Sequence, residues 1–129
     1  RSIRSEKYKY IVNFTPGVTF QNACTNSTIF KSWRQKASDG DASAAEKINR
    51  YENRPAEEFY AIQEDPYEWN NLADDHNYAM QKAKLKQELL RWMKECGDKG
   101  QQTELEALEH QGRRRQSKDI KRAEDTGNR

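Results

Sequence analysis

Apolar residues are scarce in this chain. They make up 33% of its 129 residues, against 34% charged, and mean hydropathy is −1.29. That composition allows one modest core, hence one domain with little room for a second. It also implies that part of the chain is unpacked tail, or surface made to meet a partner. No apolar run approaches the roughly 20 residues that cross a bilayer, so no membrane span is expected. An excess of one charge is lacking too. The 23 basic and 21 acidic residues leave a net +2, which argues against nucleic acid as a partner, since that role calls for a clear basic surplus. Cysteine and histidine are rare, with two of each. Cys24 and Cys96 form no C-x-x-C pair, and His76 and His110 stand apart, so no zinc site is expected and the thiols read as unpaired or buried. There is no glycine-rich phosphate loop, no Ser-His-Asp arrangement and no distinctively spaced carboxylate pair. The opening Arg1-Ser2-Ile3-Arg4 has no apolar leader, and such a start in mid-pattern reads as part of something longer.

What is present is a short α+β pattern. Residues 1–14 read as a hairpin turning at Ser5-Glu6-Lys7, with Tyr8, Tyr10, Val12 and Phe14 on one face and Lys7, Lys9 and Asn13 on the other. Ile11 interrupts the polar face, which points to partial cover on both sides. Thr15-Pro16-Gly17 ends the strand, and residues 18–27 read as a long loop. Ser27 or Thr28 caps a helix to about Ala37 that carries Ile29, Phe30 and Trp33, and Asp39-Gly40-Asp41 breaks it. A second helix runs from Ser43 to about Tyr51. Glu57–Ile62 is a strand closed by Asp65-Pro66, and residues 67–73 are irregular, anchored by Trp69 and Leu72. A long helix is expected from about Asp75 to Glu95. Met80, Ala83, Leu85, Leu89, Trp92 and Met93 form its apolar stripe, opposite Lys82, Lys86 and Glu88, and Gly97 caps it. Gln101–Gln111 reads as a marginal helix and Gly112–Arg129 as disordered. The division is therefore 1–98 folded and 99–129 tail.

Several residues invite a chemical reading. The aspartates Asp39, Asp41, Asp74 and Asp75 lack the regular spacing of a calcium loop and fit helix capping better. Arg113-Arg114-Arg115 with Lys118, Lys121 and Arg122 is a basic cluster suited to polyanions, but Glu124 and Asp125 follow it and no aromatic is interleaved, so it reads as a solvated tail. Asn13-Phe14-Thr15 and Asn26-Ser27-Thr28 satisfy the short glycosylation pattern. On residue chemistry alone the chain is a small α+β domain without an active site.

Three blocks resemble type I, formylglycine-dependent sulfatases in the order found near the C-terminus of that family. Arg1-Ser2-Ile3-Arg4-Ser5-Glu6-Lys7-Tyr8-Lys9-Tyr10-Ile11 resembles R-x-V-R-T-x-x-Y-K-Y-I. The segment from Arg54-Pro55 through Glu57-Glu58-Phe59-Tyr60, Asp65-Pro66 and Asn70-Asn71-Leu72-Ala73 resembles R-P-x-E-E-L-Y-D-L-x-x-D-P-x-E-x-x-N-L-A, departing from it at Ala61, where Asp is common. Leu89-Leu90-Arg91-Trp92-Met93 with Gly97-Asp98 resembles the terminal helix. The long insert before Arg54, together with Trp92, is most similar to the heparan N-sulfatase (sulfamidase) branch.

The resemblance implies a small antiparallel sheet packed against a long C-terminal helix, the C-terminal subdomain of an alkaline-phosphatase-like sulfatase. It implies that the chemistry lies elsewhere, in an N-terminal catalytic domain holding a formylglycine and calcium, with a sulfated sugar as substrate. It also implies a periplasmic, secreted or lysosomal parent. Cys24-Thr25-Asn26-Ser27-Thr28 departs from the family's nucleophile pattern C-x-P-S-R, lacking both the Pro and the Arg, so no catalytic residue is expected in this chain. Arg54 and Asn13, with loop 13–22, are the candidates for the substrate side, because a guanidinium suits sulfate or carboxylate. Arg54, which precedes Pro55, has an alternative role in bracing a domain interface. Two other readings stand beside this one: a phosphodiesterase or phosphonate hydrolase of the same superfamily, and a non-catalytic interaction module.

Overall fold

A computed structural model describes residues 1–107 and 109. Contacts divide the chain into two units, Arg1–Leu89 and the part from Leu90 on. The fold is α+β. Strands β1 (Ser2–Arg4), β2 (Tyr8–Val12) and β3 (Glu57–Ala61) form one antiparallel sheet in the order β1-β2-β3. Helices α1 (Thr28–Ser38) and α2 (Ala42–Glu52) fill the connection between β2 and β3. Helix α3 (Ala79–Glu95) follows the sheet and crosses the boundary between units, and α4 (Gln101–Glu106) lies in the second unit. Of the expected helix Gln101–Gln111, the part beyond Ala107 lies largely outside the described residues, as do His110, the basic cluster from Arg113 and the tail Gly112–Arg129.

The hairpin forms where its alternation places it. Ser5 makes the turn, its hydroxyl accepting from the Tyr8 amide and its own amide donating to the Tyr8 carbonyl. Tyr10 pairs with Ile3 on one side and Phe59 on the other, and side chains directly opposite one another share a sheet face. That face is closed by an aromatic trio. Tyr8 stacks on Phe59 at 5.4 Å, and Tyr78 meets each of them at 6.1 Å.

The free edge of β3 is covered by a side chain acting as a strand. Asn71 Oδ1 accepts from the Phe59 amide and Nδ2 donates to the Glu57 carbonyl, while the Leu72 amide donates to the Phe59 carbonyl. An unpaired strand edge invites misassembly, and this covers it. The Asn-Asn-Leu-Ala run thus completes the sheet.

The helices begin at side-chain caps. Ser27 accepts from the Phe30 amide and Asp41 from the Ala44 amide, each worth about 1 kcal/mol. The expected start of the long helix is revised: Asp75 caps a 3-10 turn, His76–Tyr78, and α3 begins only at Ala79. Its apolar stripe is also narrower than expected. Met80 is 84% exposed and Trp92 52%, Ala83 faces solvent, and the buried line is Leu85, Leu89 and Met93, spaced by four. Lys82 and Lys86 are not opposite this line, since three- and four-residue steps keep them beside Leu85 and Leu89. Both reach Glu57 on β3, and Lys82 also donates to the Ala73 carbonyl. Trp69 is likewise no buried anchor, being 50% exposed. At the C-terminal end of α3, Gly97 takes a positive φ of 72° and the Asp98 amide returns to the Met93 carbonyl, as expected of a glycine cap.

Glu57 therefore joins helix to sheet. It accepts from Lys82, Lys86 and the Tyr10 hydroxyl. The Lys86 hydrogen bond first, and that of Tyr10 next, hold its carboxyl down at about 2, from an ordinary 4.5. Its folded-state value is depressed, so its stabilising contribution is complete above pH 4.5 and is lost as pH falls through about 2. Glu57→Gln should cost about 1–3 kcal/mol near neutral pH, seen as a Tm several degrees lower. The Tm gap between wild type and E57Q should close as pH is lowered across that window. A gap that stays constant would show that Glu57 does not carry this coupling.

Candidate functional site

Helix α2 presents Lys47, Arg50 and Tyr51 at the spacing i, i+3, i+4, which puts them on one face, and Arg54 follows two residues beyond the helix end. The face is kept open by α1 on one side, which contributes Trp33, and by the 62–70 loop on the other, which contributes Tyr67 and Trp69. Together these seven residues line a groove of about 340 Å³. Four are aromatic, three are cationic, and no carboxylate is among them.

Local structure explains why the aromatics stand in solvent. Asp65 Oδ2 accepts the Asn70 amide, and backbone donors, that of Asn70 foremost, lower its pKa. Glu68 takes the left-handed φ of 57° and its carboxylate binds Lys9 Nζ at 2.8 Å. Between and beside these two pinned carboxylates, Tyr67 and Trp69 stand 81% and 50% exposed. Arg50 holds Trp69 in place twice, donating to its carbonyl and lying 4.8 Å from its ring centroid. On the opposite wall Phe30, buried at 5% exposure, tilts against both Trp33 and Tyr51.

Beneath the groove lies a buried carboxylate. Glu58 is 3% exposed. Its Oε1 accepts from Asn13 Nδ2 at 2.8 Å and its Oε2 from the Tyr60 hydroxyl at 2.6 Å, while Arg54 Nη1 stands 3.6 Å from Oε2. A carboxylate this deep needs such partners, because burying a bare charge is costly. The Tyr60 phenol is pushed up to about 12, first by burial and then by its bond to Glu58. Asn13 Nδ2 also donates to the Pro55 carbonyl at 2.7 Å. A glycan on Asn13 would attach at this nitrogen and displace those bonds.

The two residues singled out from sequence thus meet on one carboxylate. Arg54 lines the groove, and Asn13 sits at Glu58 rather than in the groove wall. Trp33, Lys47, Arg50, Tyr51, Tyr67 and Trp69 were missed. The helical spacing of 47, 50, 51 and 54 was the available signal, but it mixes charge with aromatics and so makes no apolar stripe. Cys24, itself exposed, opens a 3-10 turn, Cys24–Asn26, whose Thr25 is buried, and both Cys24 and Cys96 are free. Among the described residues no group of three or more His, Cys, Asp or Glu could hold a metal ion. No described helix is long and apolar enough to cross a membrane. The groove offers fixed positive charge beside ring faces, an arrangement for binding an anion that also has an apolar face.

Comparison with known proteins places this geometry in context. No family model matches the chain. Two proteins of Formosa agariphila, both named ulvan-active sulfatase, are similar to it. One is 32% identical over 98 residues, 76% of this chain, and the other 28% identical over 112 residues, 84% of it. The relationship is to sulfatases. The chain spans only 18% and 19% of those two proteins, so most of each sulfatase has no counterpart in it. Their names bear out the sulfatase part of the resemblance and say nothing of N-sulfated sugars.

The Glu58 cluster gives a direct test. Asn13→Ala strips donors from Glu58 Oε1 and from the Pro55 carbonyl. It should cost about 1–3 kcal/mol in urea unfolding, the range for an orphaned buried acceptor. A loss under about 0.5 kcal/mol, ordinary for a surface site, would mean that water replaces the amide freely.

Proposed function

We propose that the chain is the C-terminal, non-catalytic part of a sulfatase whose whole removes sulfate from a sulfated sugar. One observation carries the reading: likeness to two sulfatases over three quarters or more of this chain, while the chain spans less than a fifth of either. Residues 1–98 form the part that packs on the N-terminal catalytic domain. Exposed Val18, Ile29 and Met80 supply apolar surface for that docking. The formylglycine and calcium implied by the resemblance belong to the catalytic domain. The substrate readings are N-sulfoglucosamine, from the resemblance, and ulvan, from the relatives' names.

A phosphodiesterase or phosphonate hydrolase of the same superfamily is the rival reading. The nucleophile pattern in the coding region before Arg1 separates them, with C-x-P-S-R meaning sulfate and a plain Thr or Ser meaning phosphate. The whole protein should release inorganic sulfate from ulvan or from N-sulfated glucosamine oligosaccharides, measured by ion chromatography, and the 129-residue chain should release none. Turnover by the purified chain would refute the non-catalytic role. An unrelated preceding region would refute the sulfatase assignment.

A further inference from the structure

We infer that the groove between α1, α2 and the 62–70 loop is a binding subsite for a sulfated saccharide, holding a ring of the chain rather than the bond that reacts. A sulfated sugar combines two surfaces that few other ligands join: a patch of C–H bonds on the ring face, and fixed negative charge at the ring edge. Aromatic faces carry negative quadrupole charge and pack against such C–H hydrogens. Guanidinium and ammonium groups take the sulfate oxygens through charge-assisted bonds. The groove supplies both at once, with Tyr67, Trp69 and Trp33 exposed and Lys47, Arg50 and Arg54 in the wall.

The charge is available to a ligand. Lys47 makes no ion pair among the described residues. The Arg54 side chain is 42% exposed, and its contact to Glu58 is 3.6 Å, longer than a hydrogen bond. Arg50 is spent on Trp69, so it orients that ring as well as adding field. The carboxylates nearby are already engaged. Glu58 lies buried under Arg54, Asp65 accepts the Asn70 amide, and Asp41 caps α2. None of them lines the groove. Lys47 and Arg50 stand about 4.5 Å apart along the helix axis, at 1.5 Å per residue, and Arg54 lies farther on. Such a row follows an extended anion and has more length than one free sulfate needs.

A separate subsite is chemically useful, because binding energy from remote parts of a substrate can be used to orient the reacting part. This inference deepens the sulfatase reading, yet it is tested on the chain alone and without catalysis. The test titrates the 129-residue chain with an ulvan-derived tetrasaccharide and a heparin-derived tetrasaccharide, following tryptophan fluorescence and calorimetry. The same tetrasaccharides after chemical desulfation, a poly-glutamate peptide of matched charge and inorganic sulfate serve as comparisons. Expected is saturable binding of at least one sulfated tetrasaccharide, tighter than any comparison by tenfold or more. Lys47→Gln and Tyr67→Ala change exposed groups that hold no part of the fold, and each should weaken binding about tenfold, a change of about one logarithmic unit in Kd. Equal binding of desulfated sugar or poly-glutamate, no binding of either sulfated tetrasaccharide, or unchanged affinity in both variants would overturn the inference. If binding holds while the region before Arg1 proves unrelated to sulfatases, the subsite stands and the parent assignment falls.

Discussion

Everything in the first unit hangs on two neighbouring glutamates. Glu57 and Glu58 are consecutive on β3, so the pleat sends their side chains to opposite faces of the sheet. Glu57 gathers Tyr10, Lys82 and Lys86 and fastens the first turns of α3. Glu58 gathers Asn13, Tyr60 and Arg54 and fastens the end of β2 to the segment entering β3. With so few apolar residues in the chain, charge-assisted bonds to one central strand take on fastening that a larger core would do by burial. The arrangement suits a sheet of three strands, which has little interior of its own.

From that anchor the groove follows. Arg54 is placed by Glu58, and α2 ends just before it. The Asp65-Pro66 loop leaves the other end of β3 and returns to its edge through Asn71 and Leu72. The α2 face and the loop wall of the groove are therefore tied to β3 within a few residues. The aromatic rings stay exposed because the loop's own polar groups, Asp65 and Glu68, are satisfied by Asn70 and Lys9. Binding surface here is a product of a well-fastened strand and not of an enclosed cavity.

Much of this was readable from residue order. The hairpin, the Ser27 and Asp41 ends of the two short helices, the Glu57 strand and the Gly97 cap all follow from period and cap chemistry, which act within a few residues. The misreadings share one cause, which is that hydrophobicity alone does not say which side is covered. Met80 and Trp92 are apolar yet exposed, while Lys82 and Lys86 are charged yet face the sheet because Glu57 is there to receive them. Trp69 has the composition of an anchor, but Arg50 holds it at the surface. Asn71 acting as a strand edge needs β3 beside it, a contact 12 residues away in sequence. The site was half legible. A family resemblance points to Arg54 and Asn13, and the structure joins them at Glu58. The groove needed α1, α2 and a loop brought together in space, which no local pattern encodes.

The sulfatase relationship gives this architecture a setting, and the groove gives it something to do there. Both meet in one claim: Trp33 and Trp69 face a sulfated sugar. The chain has three tryptophans, and Trp92 takes no part in the groove, so their indole N–H resonances in a 15N-labelled sample distinguish the site directly. On titration with a sulfated tetrasaccharide, the Trp33 and Trp69 signals should move together along one saturating curve while Trp92 stays in place. Movement of Trp92 alone, or of none of the three, would contradict the account.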